Sequence, residues 1–529
     1  MEFVQILSLI MAPVCFLLCV CGAVLYRCFV RPLIVRRVLE RNGLRGPSPS
    51  FPLGNISTMR KLARSTVVHG SPMSLITHDI HPLLFPHFAE WRKAFGKVFV
   101  YWIGTEPFLY VAEPELIKQM ISAGDHRSMS WGKPSVFRTD RQSLFGNGLL
   151  MLDGDNWSHR RHTLSPAFFP SNLKKLAGVI IDSASDMLQN WEDQTKDAAT
   201  AEIDVEKDLV RATANVIAKI TFGQSYQQVK EVFEEMSSVQ SVLFRNQRLV
   251  GVPFGNLFNP KQSTRIQRLG KDIDRRILSV IETPRAGGHS LYDDLLGLLQ
   301  QDQKRAAGDS RHGKELSEQD LVDECKTFIF GGHETTALAL TWTLFLLALH
   351  PEWQQSLREE VMEVTGGQPI DANVIPHLQK MTWVMNEVLR LYSPAPNAQR
   401  QARKEMQVGE LVIPKGTNIW FDIVGLNHDP CLWGEDVNEF RPERFKDGPS
   451  SACKHRLGFV PFGLGARTCV GQNLFKMEYK IVLSMILSSF SWSLSHNYSH
   501  SPAIVLTLRP SSGVPLVLRP LSRPGRSAP

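Results

Sequence analysis

The most constraining stretch of this chain places one cysteine in a glycine-rich turn. Residues 462–471 read Phe-Gly-Leu-Gly-Ala-Arg-Thr-Cys-Val-Gly, and an amphipathic run follows. Glycine tolerates positive φ at positions 463, 465 and 471 and lets a flat prosthetic group approach the backbone closely. Backbone N–H groups in the turn and the start of the next helix favour the thiolate form of Cys469. Because a thiolate binds soft metals, the segment predicts a metal-centred prosthetic group.

An ordinary buried cysteine in a tight turn is the alternative interpretation, since free cysteine is among the most buried residue types. That alternative leaves Phe462, Arg467 and the glycines at fixed offsets unexplained. The whole segment resembles the heme-binding signature of the cytochrome P450 family, although members usually carry Pro or Gly where this chain has Ala466. The resemblance implies that Cys469 is the axial thiolate ligand of heme b, that Phe462 and Arg467 contact the heme, and that thiolate donation favours O–O cleavage.

An uncharged apolar run occupies the N-terminus from Phe3 to Tyr26, and about 20 apolar residues cross a bilayer as a helix. Six arginines follow this run, at Arg27, Arg31, Arg36, Arg37, Arg41 and Arg45. The positive-inside rule then predicts a single-pass anchor with the body in the cytosol. A cleaved signal peptide is the alternative, but the run is long for one and no positive segment precedes it. The family resemblance implies the endoplasmic reticulum membrane.

Composition and patterning divide the chain into four predicted segments. They are a membrane anchor over 1–30, a basic and proline-rich linker over 31–55, a heme-thiolate monooxygenase domain over 56–521 and a disordered tail over 522–529. The net charge of +7 is modest and spread out, so we expect no nucleic-acid partner. The eight cysteines show no disulfide framework, which fits a reducing compartment.

The body predicts a mainly α protein with small β regions. Alternation from Lys97 to Val111 predicts a hairpin, and Pro114 predicts the start of the next helix. A terminal hairpin is predicted from 504–508 and 514–518, and a surface excursion from 284–313. The resemblance implies the cytochrome P450 fold, preceded by a single N-terminal transmembrane helix.

A long apolar run from Asp320 to His350 contains Gly-Gly-His-Glu-Thr-Thr over 331–336, and Ser317 with Asp320 predicts a capping box at its start. Its frequent charges argue against a second membrane span and favour a core helix. Two adjacent glycines inside a helix cost roughly 1 kcal/mol each, so we expect them to open room over the heme. Glu334 and Thr335 are then a candidate acid and alcohol pair for proton delivery, and a surface carboxylate and a back-bonded threonine are the alternatives.

Two further elements match the family. Trp157 and Arg161 lie one helical turn apart and resemble its Trp-x-x-x-Arg contact to the heme propionates. Glu387 and Arg390, with Arg444 in a Pro-Glu-Arg-Phe segment, resemble its buried charge network, so their predicted role is structural. A solvated helix face is the alternative for Glu387 and Arg390. Arg400 is a further candidate propionate contact.

The resemblance implies a monooxygenase that inserts one oxygen atom from O2, with electrons from NADPH-cytochrome P450 reductase. A basic surface could receive this partner, and its candidate residues are Lys454, His455, Arg456, Lys476 and Lys480. The alternatives are a reductase-independent isomerase or dehydratase, and a non-catalytic heme-binding carrier or sensor.

The segments 43–51, 131–134, 323–328 and 497–503 resemble a plant clan whose members oxidise isoprenoid hormones, most strongly the gibberellin oxidases. A gibberellin-like diterpenoid acid is therefore the expected substrate, with a cytokinin, brassinosteroid or triterpenoid as the alternative. The pocket is expected to include Ser135, Phe137, Phe330, Gly331, Ala395, Asn397, Gln399, Ile504 and Val505. If Asn397 and Gln399 face it, they favour a polar substrate.

Overall fold

Helices dominate the computed structural model, which describes residues 2–65, 76–124, 130–196, 198–245, 249–283, 295–300 and 316–521. The first helices are α1 Glu2–Leu25, α2 Arg31–Arg41, α3 Ile56–Ser65, α4 His81–Leu84, α5 Pro86–Phe95, α6 Pro114–Ser122, α7 Ser135–Asp140, α8 Gln142–Phe145, α9 Gly154–Leu164, α10 Pro170–Leu173 and α11 Ala177–Thr195. The later ones are α12 Val205–Phe222, α13 Tyr226–Arg245, α14 Pro260–Glu282, α15 over 295–300, α16 Glu318–Leu349, α17 Pro351–Thr365, α18 Gln379–Leu391, α19 Ile423–Asn427, α20 Pro430–Trp433, α21 Pro449–Ala452 and α22 Gln472–Ser489. The expectation of a mainly α protein with small β regions is confirmed.

Twelve short strands form four small sheets within the described residues. They are β1 Val98–Ile103, β2 Glu106–Val111, β3 Trp131–Gly132, β4 Ala201–Asp204, β5 Asn397–Ala402, β6 Met406–Val408, β7 Leu411–Ile413, β8 Asn418–Asp422, β9 Phe490–Leu494, β10 Pro502–Val505, β11 Thr507–Pro510 and β12 Pro515–Pro520. The largest sheet has the order β1-β2-β8-β5-β3, with β2 and β8 parallel and the other pairs antiparallel. The predicted hairpin is confirmed as β1 and β2, which pair from Val98 opposite Val111 to Ile103 opposite Glu106.

The predicted terminal hairpin is wrong in its pairing. The chain turns at Leu506, whose φ is 69°, so β10 pairs with β11 rather than continuing to Leu508. Strand β12 instead joins β4 and β9 in a three-stranded sheet. A turn through a non-glycine residue in the left-handed region has no sequence signature, and the alternating apolar residues on both sides read as one strand.

The N-terminal helix is longer than the predicted anchor. A five-residue π-helical turn, Tyr26–Val30, joins α1 to α2, so helical structure extends into the segment predicted as a linker. Among the described residues, one helix near the N-terminus is long and apolar enough to cross a membrane. The rest of that segment lies against the first sheet, since the carbonyl of Arg45 accepts the N–H of Val100 at 2.9 Å. The predicted tail 522–529 and most of the predicted excursion lie outside the described residues.

Helix α16 runs through the core and organises the site. Its predicted capping box is confirmed, because the Ser317 hydroxyl accepts the N–H of Asp320 and the Asp320 carboxylate accepts the N–H of Ser317. Most side chains between Leu321 and Leu347 are buried, and α12 packs along the helix. The interpretation of this apolar run as a core helix rather than a second span is thereby confirmed.

Burial keeps four histidine side chains neutral at pH values well below the ordinary histidine pKa. Desolvation lowers the pKa of His78 and His87 to about 3, and that of His428 and His500 to about 4. In the unfolded chain a histidine takes up its proton near pH 6.5, so between pH 6.5 and about 4 the unfolded state binds more protons. Each of the four therefore contributes stability above pH 6.5 that is lost as the pH falls.

Replacing His87 with Phe is expected to reduce this acid sensitivity. The ring packs against Phe85, Phe88 and Trp91, and neither ring nitrogen has a hydrogen-bond partner within the described chain. Below pH 6 the slope of the unfolding free energy against pH should therefore be smaller in His87→Phe than in wild type by about 1.4 kcal/mol per pH unit. Denaturant unfolding at several pH values measures this slope. His496→Phe, at an exposed position, is the control, and equal slopes in all three proteins would contradict the prediction.

Candidate active site

The cysteine loop closes on itself between α21 and α22. The N–H of Cys469 donates to the carbonyl of Phe462 at 2.8 Å, while Gly463 and Gly465 adopt φ of 76° and 64°. These two glycines have the predicted left-handed conformation. Gly471 does not, because its φ is −87° and a Cβ there would lie 3.8 Å from Phe168, an ordinary contact. The reason given for Gly471 from the sequence is therefore wrong.

The Cys469 side chain is exposed, yet protein atoms surround it on most sides. It therefore faces an interior opening rather than bulk solvent. Burial raises the pKa of its thiol above the ordinary value. The N–H of Gly471 and the positive charge of Arg161 act in the opposite direction but do not outweigh burial. The expected thiolate thus needs a further positive partner, and a metal ion is one.

A basic cluster lies beside the loop. It contains Lys133, Arg138, Arg141, Arg400, Arg403 and Arg467. The carboxylate of Asp153 binds Arg138 at 2.5 Å and Arg467 at 3.1 Å, and also binds Arg403. Burial is the main cause that lowers the pKa of Arg400 to about 10 and that of Arg467 to about 9. Several cations lie close together here in partly buried positions, which favours the binding of anions.

The side chains predicted to contact the propionates meet around this cluster. Trp157 is buried, and the guanidinium carbon of Arg467 lies 4.5 Å from its ring centroid. Arg161 is on the same face of α9, close enough to Cys469 for its charge to act on the thiol. Arg400 and Arg467 line one cleft together with Leu464. A thiol on an interior opening beside a cluster of cations fits heme, which carries iron and two carboxylates.

The acid and alcohol of α16 occupy different environments. The Thr335 hydroxyl donates to the carbonyl of Gly331 at 2.9 Å, which is the back-bonded arrangement weighed from the sequence. The carboxylate of Glu334 is buried, and three donors converge on its Oε1: Gln240 Nε2 at 2.9 Å, the Thr507 hydroxyl at 2.5 Å and Arg509 at 2.8 Å. Glu334 is therefore not a surface carboxylate, and α13 and β11 hold it in place.

The two glycines of α16 have different structural reasons. A Cβ on Gly331 would meet no atom within 4 Å, so this residue borders open space. We call this the distal space. A Cβ on Gly332 would overlap Ile217 of α12, so this residue permits close packing of the two helices. The expectation that both glycines open room is correct for Gly331 and wrong for Gly332.

Alanine at these two positions should have opposite effects on stability. Gly331→Ala gains helix propensity without a clash and should stabilise the protein by up to about 1 kcal/mol. Gly332→Ala forces Ile217 or the helix to shift and should destabilise it by about 1–3 kcal/mol. Denaturant unfolding in detergent compares the pair directly. Equal effects of the two substitutions would show that the distal space is not beside Gly331.

The structure brings Glu387, Arg390 and Arg444 together as one buried network. Both oxygens of Glu387 accept from Arg390 at 2.8 Å, and Arg444 Nε lies 3.4 Å from Glu387 Oε1. Arg390 also donates to three backbone carbonyls, those of Asn427, Val437 and Glu439. Glu387 and Arg390 are both fully buried, which excludes the solvated helix face.

The predicted pocket residues are held by contacts of different kinds. The Phe330 ring packs edge-on against Phe145 of α8 with centroids 4.9 Å apart. The Gln399 amide donates to the side-chain oxygen of Asn397 at 2.8 Å, since both project from the same face of β5. The carbonyl of Val505 accepts from Gln240 at 2.9 Å. Ser135 instead donates to Gln401 at 2.8 Å, so its hydroxyl is used within the fold.

Sequence reasoning missed the residues whose partners are distant in the chain. Lys133 and Asp153 belong to the basic cluster, and Gln240 and Arg509 hold Glu334. Only Lys133 had a signal, because the segment 131–134 was among those that resemble the plant clan. The others are ordinary polar residues until the fold brings them together.

The segment 323–328 at the start of α16 fixes the neighbouring loop. The carboxylate of Asp323 accepts the N–H of Asn147 at 2.7 Å, and that of Glu324 accepts the N–H of Leu149 at 3.0 Å. Glu324 also binds Arg160 at 2.8 Å. Because Arg160 precedes Arg161 on α9, Glu324 holds in place the helix that carries Trp157 and Arg161.

The basic surface predicted for the reductase loses one member. Lys480 is buried and donates to the carbonyls of Ile375 and Leu378 at 3.0 and 2.9 Å, so it is not available to a partner. Lys454 and Arg456 are exposed, and Lys476 and His455 are partly exposed. The corrected candidate surface consists of these four residues.

Known proteins are similar to this chain over almost its whole length. A sequence model of the family described as Cytochrome P450 matches residues 73–512. Cytochrome P450 714C2 of Oryza sativa subsp. japonica is 37% identical over 500 residues, which cover 93% of this chain and 94% of that protein. A cytokinin hydroxylase of Arabidopsis thaliana is 37% identical over 501 residues, with the same coverage. Cytochrome P450 734A1 of Arabidopsis thaliana is 34% identical over 502 residues, which cover 93% of each chain.

Proposed function

Because the chain belongs to the cytochrome P450 family, we propose that this heme-thiolate monooxygenase inserts one oxygen atom from O2 into an isoprenoid substrate, a gibberellin-like diterpenoid acid. The single observation that carries the substrate class is the amide pair of Asn397 and Gln399 on β5. Both side chains are partly buried among the residues expected to form the pocket. Buried amides are satisfied by a substrate with hydrogen-bonding groups better than by a hydrocarbon.

The heme would be held by Cys469 from the loop and, at its carboxylates, by Trp157, Arg161, Arg400 and Arg467. When bound, it supplies the activation of dioxygen. Phe462 would face the heme beside the thiolate. Its ring is held by Phe475 of α22, which packs edge-on against it with ring centroids 5.3 Å apart. The remaining steps depend on how this chain positions the substrate and moves protons.

Glu334 and Thr335 are the proposed proton-handling pair. The Thr335 hydroxyl is a hydrogen-bond donor that lies at the edge of the distal space. Glu334 accepts three hydrogen bonds on one oxygen, so it must release at least one donor before it can turn toward Thr335. Arg509 is the strongest of these donors because its hydrogen bond to the carboxylate is charge-assisted.

The N-terminal apolar helix indicates membrane anchoring, and we place the protein in the endoplasmic reticulum membrane with its catalytic body in the cytosol. Members of the family receive electrons from a reductase. We propose NADPH-cytochrome P450 reductase as this partner, docked on the four-residue surface that includes Lys454 and Arg456. The arginines after the anchor support this orientation.

Hydroxylation of a cytokinin is the second candidate, because a cytokinin hydroxylase and Cytochrome P450 714C2 have the same sequence identity to this chain, 37%. Brassinosteroids and triterpenoids remain alternatives from the sequence. Membership in the family makes the chain a monooxygenase, so the non-catalytic carrier or sensor receives no support. The presence of both Glu334 and Thr335 disfavours a reductase-independent isomerase or dehydratase.

A substrate panel tests the proposal. Gibberellin, kaurenoid, triterpenoid, cytokinin and brassinosteroid compounds would be titrated into the purified holoenzyme, and binding would be followed by the shift of the heme absorbance. Compounds that bind would then be incubated with NADPH and the reductase, and the products identified. We expect binding and hydroxylation of a diterpenoid acid. Turnover of a cytokinin alone would replace the proposal with its alternative.

A further inference from the structure

We propose that Arg141 binds the carboxylate of the substrate, in an anion site that it forms with Gln399 and Asn397. This inference rests on the proposed function, since it names the chemical group that the same pocket recognises. The sequence motifs do not point to Arg141, which lies more than 250 residues before Asn397 and Gln399 in the chain.

The guanidinium of Arg141 is held in a defined plane. Its central carbon lies 4.1 Å from the ring centroid of Phe137 and 5.2 Å from that of Phe244. One terminal nitrogen donates to Gln399 Oε1 at 3.3 Å, and the Gln399 amide donates in turn to Asn397. A planar fork fixed by two aromatic rings and an amide is pre-organised for a carboxylate, because two parallel N–H groups match its two oxygens.

Arg141 lies where three elements meet near the distal space. It joins α7 to α8, and Phe145 of α8 packs against Phe330, the residue before Gly331. Phe244 lies in the last turn of α13, the helix that also carries Gln240. A substrate bound in the distal space beside Gly331 would therefore lie near Arg141.

The local charges favour an anion. Burial is the main cause that holds the pKa of Lys133 well below its ordinary value, and the positive charges of Arg400, Arg467 and Arg141 act on Lys133 in the same direction. Asp153, which binds Arg138, Arg403 and Arg467, offsets part of this positive charge. An arriving carboxylate thus enters a positive field in a partly buried site, where charges act strongly.

Two carboxylates are candidates, that of the substrate and a propionate of the heme. Successive side chains of a strand point to opposite faces. Arg400 of β5 lines the cleft with Leu464 and Arg467 of the cysteine loop, whereas Gln399 points to the other face and contacts Arg141. Arg141 therefore lies across β5 from the cations assigned to the propionates, and this position favours the substrate.

The test compares a diterpenoid acid with its methyl ester. Both compounds would be titrated by spectral shift into wild type, Arg141→Met and Arg141→Lys. Met keeps much of the apolar contact with Phe137 and Phe244, and Lys keeps the charge but loses the fork. We expect Arg141→Met to raise the dissociation constant of the acid about 10- to 100-fold and that of the ester less than about 3-fold. Arg141→Lys should fall between wild type and Met.

Heme content, the reduced carbon monoxide spectrum and thermal stability are measured on the same preparations, and all three should match wild type. Equal weakening of acid and ester, or a loss of heme that accompanies the weaker acid binding, would overturn the role of Arg141 and assign it to the fold or to a propionate. If wild type binds the ester and neutral compounds but no acid, the proposed function itself fails. An acid that binds wild type and both variants equally refutes only the inference about Arg141.

Discussion

Cys469→Ser is expected to abolish monooxygenase turnover and the carbon monoxide absorbance typical of thiolate-ligated heme. Serine places a hard, poorly acidic hydroxyl where the chain offers a soft sulfur ligand, and no other cysteine lies in the loop. A fall in turnover of about 1000-fold or more, equivalent to about 4 kcal/mol of barrier, is the expected size. The measurements are the reduced carbon monoxide difference spectrum, the heme content and product formation with the reductase.

Cys431→Ser is the matched control. Cys431 is exposed on α20, outside the cysteine loop, and its substitution should leave spectrum and turnover unchanged. If the Cys469→Ser protein kept both the thiolate-type spectrum and full turnover, the assignment of the ligand would be wrong. Everything proposed about the loop would then have to be abandoned.

The second large effect concerns the buried pair of Glu387 and Arg390. Arg390→Leu leaves a fully buried carboxylate that has lost both of its 2.8 Å hydrogen bonds to the guanidinium, and it also removes the donors to three carbonyls. Breaking a buried pair from one side typically costs about 3–5 kcal/mol. We expect little folded protein at 37 °C and a strongly lowered unfolding midpoint in detergent.

The double variant Glu387→Leu/Arg390→Leu separates charge from packing. It should be less destabilised than the sum of the single variants, since it removes both charges of the pair and leaves Arg444 with Asp436 as its partner. Arg276→Leu serves as a surface comparison, because Arg276 pairs with Glu235 at 2.7 Å at an exposed position and should cost less than about 1 kcal/mol. A double variant at least as unstable as that sum would contradict a role dominated by charge.

Local patterns in the sequence were sufficient for the features that depend on nearby residues. The cysteine loop, the capping box at Ser317 and the first hairpin depend on residues within about a dozen positions of each other, and their local geometry follows from glycine, capping and alternation. Glu387 and Arg390 were placed correctly for the same reason, as they lie one helical turn apart.

The features that depend on tertiary packing could not be predicted. Gly331 and Gly332 are equivalent in sequence, and only the position of Ile217 distinguishes them. Lys480 looked like a surface cation because nothing local indicates that the carbonyls of Ile375 and Leu378 bind it. The turn at Leu506 was missed because the neighbouring apolar residues continue the same alternation on both sides.

The hairpin of β10 and β11 has a consequence for attempts to alter what the enzyme accepts. Its tip carries Val505, a predicted pocket residue, while its second strand supplies Thr507 and Arg509 to Glu334. A redesign of the tip for a bulkier molecule therefore also displaces the groups that restrain the acid. If Glu334 handles protons as proposed, such variants should release reducing equivalents as hydrogen peroxide even when they bind the new compound well, so selection for affinity alone would favour poor catalysts.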